Sequence, residues 1–395
     1  MYTQSKVILV CNFTKMNRLL LVVFFMLLFA SLYFFFFFWL LLRNVSATSS
    51  VQRAETTCVC STQQSATATV SVSPNERCIK MMQSRFIRFY SQFITDGTPV
   101  ALVDLPLHWN LGDSFIWLGE VKAIQQLGGT ITYTCYQAYN RTNLAKALGN
   151  TGIILLHGGG NFGDLYEIYQ EFRKRIMTDF PSHKIIMFPQ SVYFSNASIL
   201  QTEGEYFGKF PNFTLVARCQ RSMEVFKEHF AKNPKALMPD AAFMIGTVTP
   251  IDQPKYDVVY LSRDDKEKIL SNGLIEEMKA LFQSTGISFI VFDWSHWSNV
   301  NTEKIPEERN LLPEFRLNLG NRLLSMGRVI ISDRLHAVIL SVLMNKPIIA
   351  LDNNYGKISG YIKTFMDAEC CSGIKLRQVG KIKDAVTEVL HMLKN

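Results

Sequence analysis

Residues 328–351 of this 395-residue chain read RVIISDRLHAVILSVLMNKPIIAL, and this stretch contains a strand, a helix and a second strand. The short apolar runs Arg328–Ser332 and Pro347–Leu351 predict two strands, and the apolar segment Leu335–Leu343 between them predicts a buried helix. Strands that alternate with helices of this length form parallel sheets with helices packed on their faces. The stretch therefore indicates an α/β fold.

The same alternation of short apolar runs and helical segments extends over the chain from about residue 98. It restarts near Asp252, after Pro250, which predicts two Rossmann-like domains, residues 81–250 and 251–395. In such sheets ligands bind beyond the carboxyl ends of the strands, so we expect the site in a cleft between the domains. The other predicted strands are 99–105, 131–136, 152–156, 184–188, 214–217, 237–238, 257–262 and 287–292.

An uncharged apolar segment, residues 19–42, precedes these domains. At about 1.5 Å per residue it is long enough to cross a hydrocarbon core of about 30 Å as one helix. Lys6, Lys15 and Arg18 lie before it, so the positive-inside rule puts residues 1–18 in the cytoplasm and the bulk of the chain across the membrane. A cleaved signal peptide is the alternative, but its apolar core is normally about 7–15 residues. We expect a single-pass type II protein, as is typical of Golgi glycan-modifying enzymes.

Residues 43–80 are rich in Ser, Thr, Gln and Ala, and this composition predicts a flexible stem. Two of the eight cysteines, Cys58 and Cys60, lie in this stem, where interchain disulfides could join a homodimer in an oxidising compartment. Three glycosylation sequons fit a lumenal setting, although the pattern is short. They begin at Asn140, Asn196 and Asn212.

Charge and motif content limit the classes of partner. The formal net charge is +8, which suits an anionic small substrate or an acidic membrane surface. No Lys/Arg run is interleaved with aromatic residues, so we expect no nucleic-acid partner. The chain has no Asp-x-Asp pair for a nucleotide-bound cation and no His/Cys/carboxylate cluster at metal-ligand spacing. We therefore expect neither a metal nor a cofactor.

Two loops that follow predicted strands have the composition of anion-binding sites. His157–Asp164 contains four glycines, among them Gly159 and Gly160, whose backbone N–H groups could approach an anion. The alternative is a tight turn without a ligand. Arg218 follows an apolar strand and could bind a carboxylate or phosphate through two parallel hydrogen bonds, unless it is only a surface residue.

The loop after the strand 328–332 is the most informative one. Arg334 and His336 together suggest an anion-binding group beside a group that transfers a proton, whereas Asp333 alone would be a helix cap. Asp113, in the loop after the first strand, could likewise be a cap or a catalytic carboxylate.

Six ordered motifs resemble the polysaccharide pyruvyl transferase family, and the chain looks most like its fungal Golgi members, which act on galactose. The resemblance covers about residues 98–365 and implies two Rossmann-like domains in a glycosyltransferase-B-like arrangement. It also implies transfer of the pyruvyl group of phosphoenolpyruvate to two hydroxyls of one sugar, which forms a cyclic ketal. The motifs are Asn110–Asp113, His157–Asp164, Phe188–Ser191, Leu215–Arg218 with Ser222, Pro239–Asp240 and Ser332–His336.

The resemblance also implies which residues bind the donor, and the chemistry suggests further roles. The donor residues of the fungal type match His157, Arg218, Arg334, Leu335 and His336. Ketal formation needs a general acid and a base, for which His336 is the first choice, with His157 or Asp113 as its partner. Aromatic residues could stack on the acceptor sugar, and we expect Trp294 and Tyr355, with His296, to contact it.

Three other functions stay open at this point. Gly112-Asp113-Ser114 together with Asp333-x-x-His336 imitates a GDSL-type hydrolase, although that interpretation leaves both arginines unexplained. A nucleotide-sugar glycosyltransferase could have the same architecture. A catalytically silent paralogue could act as a scaffold in a Golgi enzyme complex.

Overall fold

Two all-parallel β-sheets form the centre of the molecule. The computed structural model describes residues 72–264, 268, 270–294, 311–352 and 356–394. The first sheet contains β1 (Pro99–Val103), β2 (Thr130–Cys135), β3 (Ile153–Leu156), β4 (Gly159–Gly163), β5 (Ile185–Met187), β6 (Gln190–Tyr193), β7 (Phe213–Ala217) and β8 (Lys235–Leu237). The second contains β9 (Tyr256–Leu261), β10 (Phe289–Phe292), β11 (Gly327–Ser332), β12 (Ile348–Leu351) and β13 (Leu376–Val379).

Both sheets begin with the same arrangement, in which the first strand lies between the second and the third. The second sheet has the order β10-β9-β11-β12-β13, and the first has β2-β1-β3-β5-β7-β6-β4 with β8 paired to β7. In the first sheet β1 lies between β2 and β3, and in the second sheet β9 lies between β10 and β11. The direction of the chain connections therefore reverses between β1 and β3, and again between β9 and β11. Such switch points open a crevice at the carboxyl ends of the strands. The mixed α/β architecture with parallel sheets is thus as predicted.

Helices cover the faces of these sheets. They are α1 (Pro74–Tyr90), α2 (Leu111–Gln126), α3 (Arg141–Leu148), α4 (Glu167–Asp179), α5 (Ala197–Phe207), α6 (Gln220–His229), α7 (Asn272–Ser284), α8 (Leu311–Ser325), α9 (Leu335–Leu343), α10 (Lys357–Tyr361) and α11 (Ile382–Lys394). Helix α9 has the predicted bounds and is buried along its whole length, as its uninterrupted apolar sequence requires.

The predicted stem extends too far along the chain, because residues 74–80 belong to helix α1. Ser73 begins this helix, since its side chain accepts a hydrogen bond from the backbone N–H of Glu76, and Pro74 occupies the first helical position. Cys78 and Met82, one turn apart, are fully buried. The Ser/Thr-rich composition ends where a capped amphipathic helix starts, so the prediction for 43–80 is wrong for its last seven residues.

The glycine-rich segment predicted as a loop is partly a strand. β4, Gly159–Gly163, pairs in parallel with β6. Gly159 and Gly163 have φ angles of 123° and 122°, which side chains rarely adopt. A Cβ on Gly163 would lie 1.7 Å from the carbonyl oxygen of Tyr193. Glycine is therefore required where this strand comes closest to its neighbour.

An apolar cluster joins the two sheets through helix α2. Leu111 and Phe115 of this helix pack in one cluster with Val259 and Ile330 of the second sheet. Arg316 of α8 is fully buried and donates hydrogen bonds to the carbonyl oxygens of Pro106 and Leu107, in the loop after β1. All described residues belong to one compact unit, residues 63–395. The predicted boundary at 250/251 lies between β8 and β9, and the division into two domains stays a prediction.

A disulfide links the beginning and the end of the described chain. Cys78 of α1 bonds to Cys371 across 293 residues. No helix among the described residues is long and apolar enough to cross a membrane. The predicted anchor, residues 19–42, and the stem cysteines Cys58 and Cys60 lie outside the described residues.

Candidate active site

The carboxyl ends of both sheets surround one cavity of ≈ 270 Å³. Its walls come from the segments after seven strands, as expected for ligand sites in such sheets. Predicted residues in the lining are Asp113, Gly160, Arg218, Trp294, Arg334, Leu335 and His336, and the others are His108, Asn110, Asn161, Tyr166, Tyr169, Arg263 and Lys357.

Arg218 extends from the end of β7 and is almost fully buried. Its Nε donates to Ser191 Oγ at 2.8 Å and its Nη1 to Asp240 Oδ2 at 2.8 Å. Nη2 has no hydrogen-bond partner among the described residues and lies 2.9 Å from where a Cβ of Gly160 would stand. A buried guanidinium nitrogen without a partner costs free energy unless an anion occupies the cavity.

His336 shares the carboxylate of Asp240 with Arg218. Its Nε2 lies 3.4 Å from Asp240 Oδ2. Burial would raise the pKa of Asp240, but His336 and Arg218 outweigh burial and hold that pKa below its ordinary value. Asp240 is therefore ionised, and its carboxylate lies beside both the guanidinium of Arg218 and the imidazole of His336. Asp240 belongs to the predicted Pro239–Asp240 motif, but its contact with both residues could not be read from the sequence.

Gly112 allows His336 to reach its position. A Cβ at residue 112 would lie 2.3 Å from His336 Nδ1 and 2.8 Å from His336 Cβ. Only glycine leaves room for the imidazole against the first turn of α2.

Arg334 is held at the switch point of the second sheet. Its Nε donates to the carbonyl oxygen of Ser262 at 3.1 Å, and its Nη2 donates to Asp293 Oδ2 at 2.6 Å. The guanidinium lies 5.7 Å from the centre of the Trp294 ring, and Phe115 contacts the same indole edge-to-face. Trp294 is thus buried beneath Arg334, with one ring face already covered. Arg334 itself begins α9, so the expectation that Asp333 caps this helix is wrong.

Asp113 faces the cavity from the first turn of α2. Asn110, not Asp113, caps the helix, since its side chain accepts from the N–H of Gly112. The interpretation of Asp113 as a cap is therefore wrong, and its role as a catalytic carboxylate stays a prediction. Asp113 Oδ2 lies 3.0 Å from Asn110 Nδ2 and 3.3 Å from His108 Nε2. Burial would raise the pKa of Asp113, but His108 and His336 outweigh it and hold that pKa below its ordinary value. An ionised Asp113 can accept a proton.

His157 lies behind the cavity rather than in its lining. It is buried, and its Nδ1 is 2.8 Å from Glu120 Oε2. Glu120 also accepts a hydrogen bond from the N–H of Gly158. Burial opposes a charge on His157, but Glu120 outweighs it and raises the pKa of His157. His157 therefore anchors the glycine-rich segment through Glu120, and Gly159, which is also absent from the lining, shapes that segment. The donor contacts expected of both residues stay predictions.

Of the seven lining residues that were not predicted as site residues, Asn110 and Asn161 lie within predicted motifs. The other five were missed for different reasons. Arg263 lies two residues after the end of β9, and Arg218 directly follows β7, so a similar strand-end signal was available. Lys357 belongs to the short helix α10 and reaches Gly160, which nothing in the sequence indicates. His108, Tyr166 and Tyr169 stand in segments whose course could not be predicted. The predicted acceptor residues His296 and Tyr355 lie outside the described residues.

The hydrolase interpretation fails on the environment of its nucleophile. Ser114 is fully buried, is absent from the cavity lining and accepts a hydrogen bond from Arg316 Nη1 at 3.1 Å. A serine that supports the packing of α8 against the loop after β1 cannot attack a substrate.

The sequence model of the polysaccharide pyruvyl transferase family matches residues 110–355. The chain belongs to this family. It is 30% identical to Pyruvyl transferase 1 of Schizosaccharomyces pombe over 80% of this chain and 81% of that protein. EpsO of Bacillus subtilis is 30% identical over 69% of this chain and 87% of its own length. The crystal structure of an uncharacterised protein from Klebsiella pneumoniae has a TM-score of 0.52 and 17% identity, over 75% of this chain and 98% of that one.

Membership of the polysaccharide pyruvyl transferase family supports a transferase that moves a pyruvyl group to a glycan acceptor. The matched region includes nearly all of the cavity, from Asn110 to His336. In the part of the chain that the structure describes, no three His, Cys, Asp or Glu side chains are grouped to hold a metal ion, and independence from metals and cofactors stays a prediction. The sequon residues Asn140, Asn196 and Asn212 are all exposed.

Proposed function

We propose that this protein transfers the pyruvyl group of phosphoenolpyruvate to a terminal galactose of a cell-surface glycan, forming a cyclic ketal and releasing phosphate. One observation carries the proposal. Arg218, Arg263, Arg334 and Lys357 line a single small cavity together with His336. Four cations beside a titratable imidazole suit a substrate that carries two anionic groups and accepts a proton.

The donor's shape fits this arrangement of charge. Phosphoenolpyruvate has a carboxylate and a phosphate a few ångströms apart, and guanidinium groups bind both through paired hydrogen bonds. Arg218 and Arg334 are already oriented by Asp240 and Asp293, so little side-chain entropy is lost when an anion binds. Gly160 brings the backbone within reach of Arg218 and Lys357, which suits a phosphate at the edge of the glycine-rich segment.

The reaction adds a proton and two sugar oxygens to the donor. A proton goes to the methylene carbon, and a sugar hydroxyl oxygen attacks the neighbouring carbon as it becomes cationic. The bond to phosphate then breaks, and a second hydroxyl of the same sugar closes the ketal ring. Of the two hydroxyl protons released, one replaces the proton given to the methylene carbon and the other leaves with phosphate.

His336 and Asp113 have the environments that these steps require. We assign the acid role to His336, because its imidazole lines the cavity beside the cationic side chains and lies next to Asp240. We assign the base role to Asp113, since its environment keeps it ionised. The cations around the cavity stabilise the departing phosphate. His157 supports the glycine-rich segment through Glu120 and takes no direct part.

We also propose that the protein is a type II protein of the Golgi membrane with its catalytic part in the lumen. The uncharged segment 19–42 and its basic N-terminal flank support this topology. The disulfide Cys78–Cys371 is of the kind found in oxidising compartments. Protease treatment of sealed microsomes should spare the C-terminal part, and its digestion would overturn the topology. Cys58 and Cys60 are proposed to link two copies, which non-reducing electrophoresis tests.

Thermal unfolding of the purified full-length chain tests the choice of donor. Phosphoenolpyruvate should raise the unfolding midpoint, whereas nucleotide sugars should not, because only a ligand that binds the folded state stabilises it. Phosphate release should require both phosphoenolpyruvate and a β-galactoside. A shift with a nucleotide sugar alone would favour a glycosyltransferase, and no shift or turnover with any donor would favour a silent scaffold.

A further inference from the structure

One wall of the cavity is aromatic rather than cationic. Tyr166 and Tyr169 stand between β4 and the first turn of α4, line the cavity and are half-buried. Trp109, between the lining residues His108 and Asn110, is 49% exposed. Tyr166 and Tyr169 belong to no hydrophobic core cluster, and the face of an aromatic ring offers no attraction to an anionic donor.

The aromatic residues connect directly to the proposed base. The rings of Tyr166 and Tyr169 meet edge-to-face with centroids 6.3 Å apart, and Tyr169 meets His108 in the same way at 6.3 Å. His108 in turn contacts Asp113 Oδ2 at 3.3 Å. The contacts of Asp113 with His108 and Asn110 both use Oδ2, which leaves Oδ1 for a ligand hydroxyl. The four groups therefore form one continuous surface that ends at a carboxylate.

We propose that Tyr166 and Tyr169 form the acceptor subsite, which binds a neutral pyranose with a hydroxyl directed at Asp113. The proposal rests on the proposed function and names the acceptor-binding residues of that same cavity. A pyranose presents apolar C–H groups on its ring faces and hydroxyls at its edge, so it needs an aromatic surface beside a hydrogen-bond acceptor. Trp294, expected from the sequence to take this role, has one ring face covered by Arg334.

The donor and the acceptor subsites meet at the glycine-rich segment. Gly160 lies against Arg218 and Lys357, and Gly159 lies against Asp113, where a Cβ would be 3.4 Å from Oδ1. A sugar on the tyrosines with its hydroxyl at Asp113 is thus next to a donor bound by the cations. This contact is what an attack of a sugar oxygen on the donor requires.

Steady-state kinetics of the full-length chain test the subsite. Tyr169→Ala should raise KM for methyl β-galactoside by roughly tenfold, on the scale of a lost aromatic contact, with KM for phosphoenolpyruvate unchanged. Tyr169→Phe keeps the ring and should behave like the wild type. Ile168→Ala is the matched control, since Ile168 is 57% exposed in the same turn but is absent from the cavity lining.

Saturation-transfer NMR separates this inference from the proposed function. Irradiation of aromatic protons in the wild type should transfer saturation to methyl β-galactoside, even without phosphoenolpyruvate, and Tyr169→Ala should reduce it. Saturation transfer to the galactoside without any phosphate release in the activity assay would support the acceptor subsite and contradict the proposed ketal reaction. An unchanged galactoside KM in Tyr169→Ala, an equal rise in the phosphoenolpyruvate KM, or saturation of a nucleotide rather than the galactoside would each overturn the subsite.

Discussion

Replacing Gly112 with alanine tests whether the position of His336 controls the rate. The new Cβ would lie 2.3 Å from His336 Nδ1, 2.6 Å from its Cγ and 2.8 Å from its Cβ. Because the clash involves the base of the side chain as well as the ring, the imidazole must move by about 1 Å to restore ordinary contact. Misplacement of a reacting group by about 1 Å can cost on the order of 100-fold in rate. We therefore expect kcat of Gly112→Ala to fall by about that factor.

The loss should be specific to catalysis. Alanine favours the helix by about 1 kcal/mol relative to glycine, which offsets part of an overpacking cost of about 1–3 kcal/mol, so the unfolding midpoint should change by a few degrees at most. Phosphate release with phosphoenolpyruvate and methyl β-galactoside gives kcat. Gly360→Ala is the matched control, because a Cβ there meets nothing within 4 Å. A kcat of Gly112→Ala within threefold of the wild type would refute the role given to His336.

Three further changes test other parts of the account. Arg218→Lys keeps the charge but loses the hydrogen bonds to Ser191 and Asp240, so KM for phosphoenolpyruvate should rise about 10- to 100-fold. Arg221→Lys, on the exposed part of α6, is the control. An unchanged KM in Arg218→Lys would show that Arg218 does not bind the donor. Burial raises the pKa of Asp104 to about 6, so ionising this carboxyl lowers the free energy of unfolding as the pH rises from about 4 to 6. In urea unfolding, Asp104→Asn should therefore be more stable than the wild type by up to about 3 kcal/mol above pH 6, with little difference at pH 4. The same stabilisation at both pH values would contradict the titration. Cys78→Ser should lower the free energy of unfolding by about 2–5 kcal/mol by removing the disulfide to Cys371, and an unchanged free energy would contradict that pairing.

The strands and helices whose bounds were predicted best are those that are buried along almost their whole length. The strand β11 and the helix α9 differ from prediction by at most one residue, because almost every residue of both is buried and their sequences are therefore apolar nearly throughout. Arg218 and Arg334 were identified because a charge at the end of such a strand has few structural uses. The segment Gly159–Gly163 was missed as a strand because glycines carry no β-signal, and its pairing with Gln190–Tyr193 depends on tertiary contact.

The rest of the site depends on distances that no sequence pattern encodes. Asp240 is shared by Arg218 and His336, which requires the end of β8 to meet the start of α9. Lys357 reaches the cavity from a short helix, and Tyr169 faces it because α4 begins there. His157 follows a strand end as the arginines do, yet it pairs with Glu120 and is absent from the cavity lining. Strand ends thus identified the region, whereas side-chain pairing decided which residues line it.

The most direct measurement follows the donor carbon into the product. The full-length chain is incubated with phosphoenolpyruvate labelled with ¹³C at the carbon that bears the phosphate, together with methyl β-galactoside, and the saccharide product is examined by NMR and mass spectrometry. The account predicts a labelled quaternary carbon bonded to two oxygens of one galactose, formed in equal amount with inorganic phosphate. Label that stays in phosphoenolpyruvate, or that leaves as free pyruvate with an unmodified galactoside, would contradict the account.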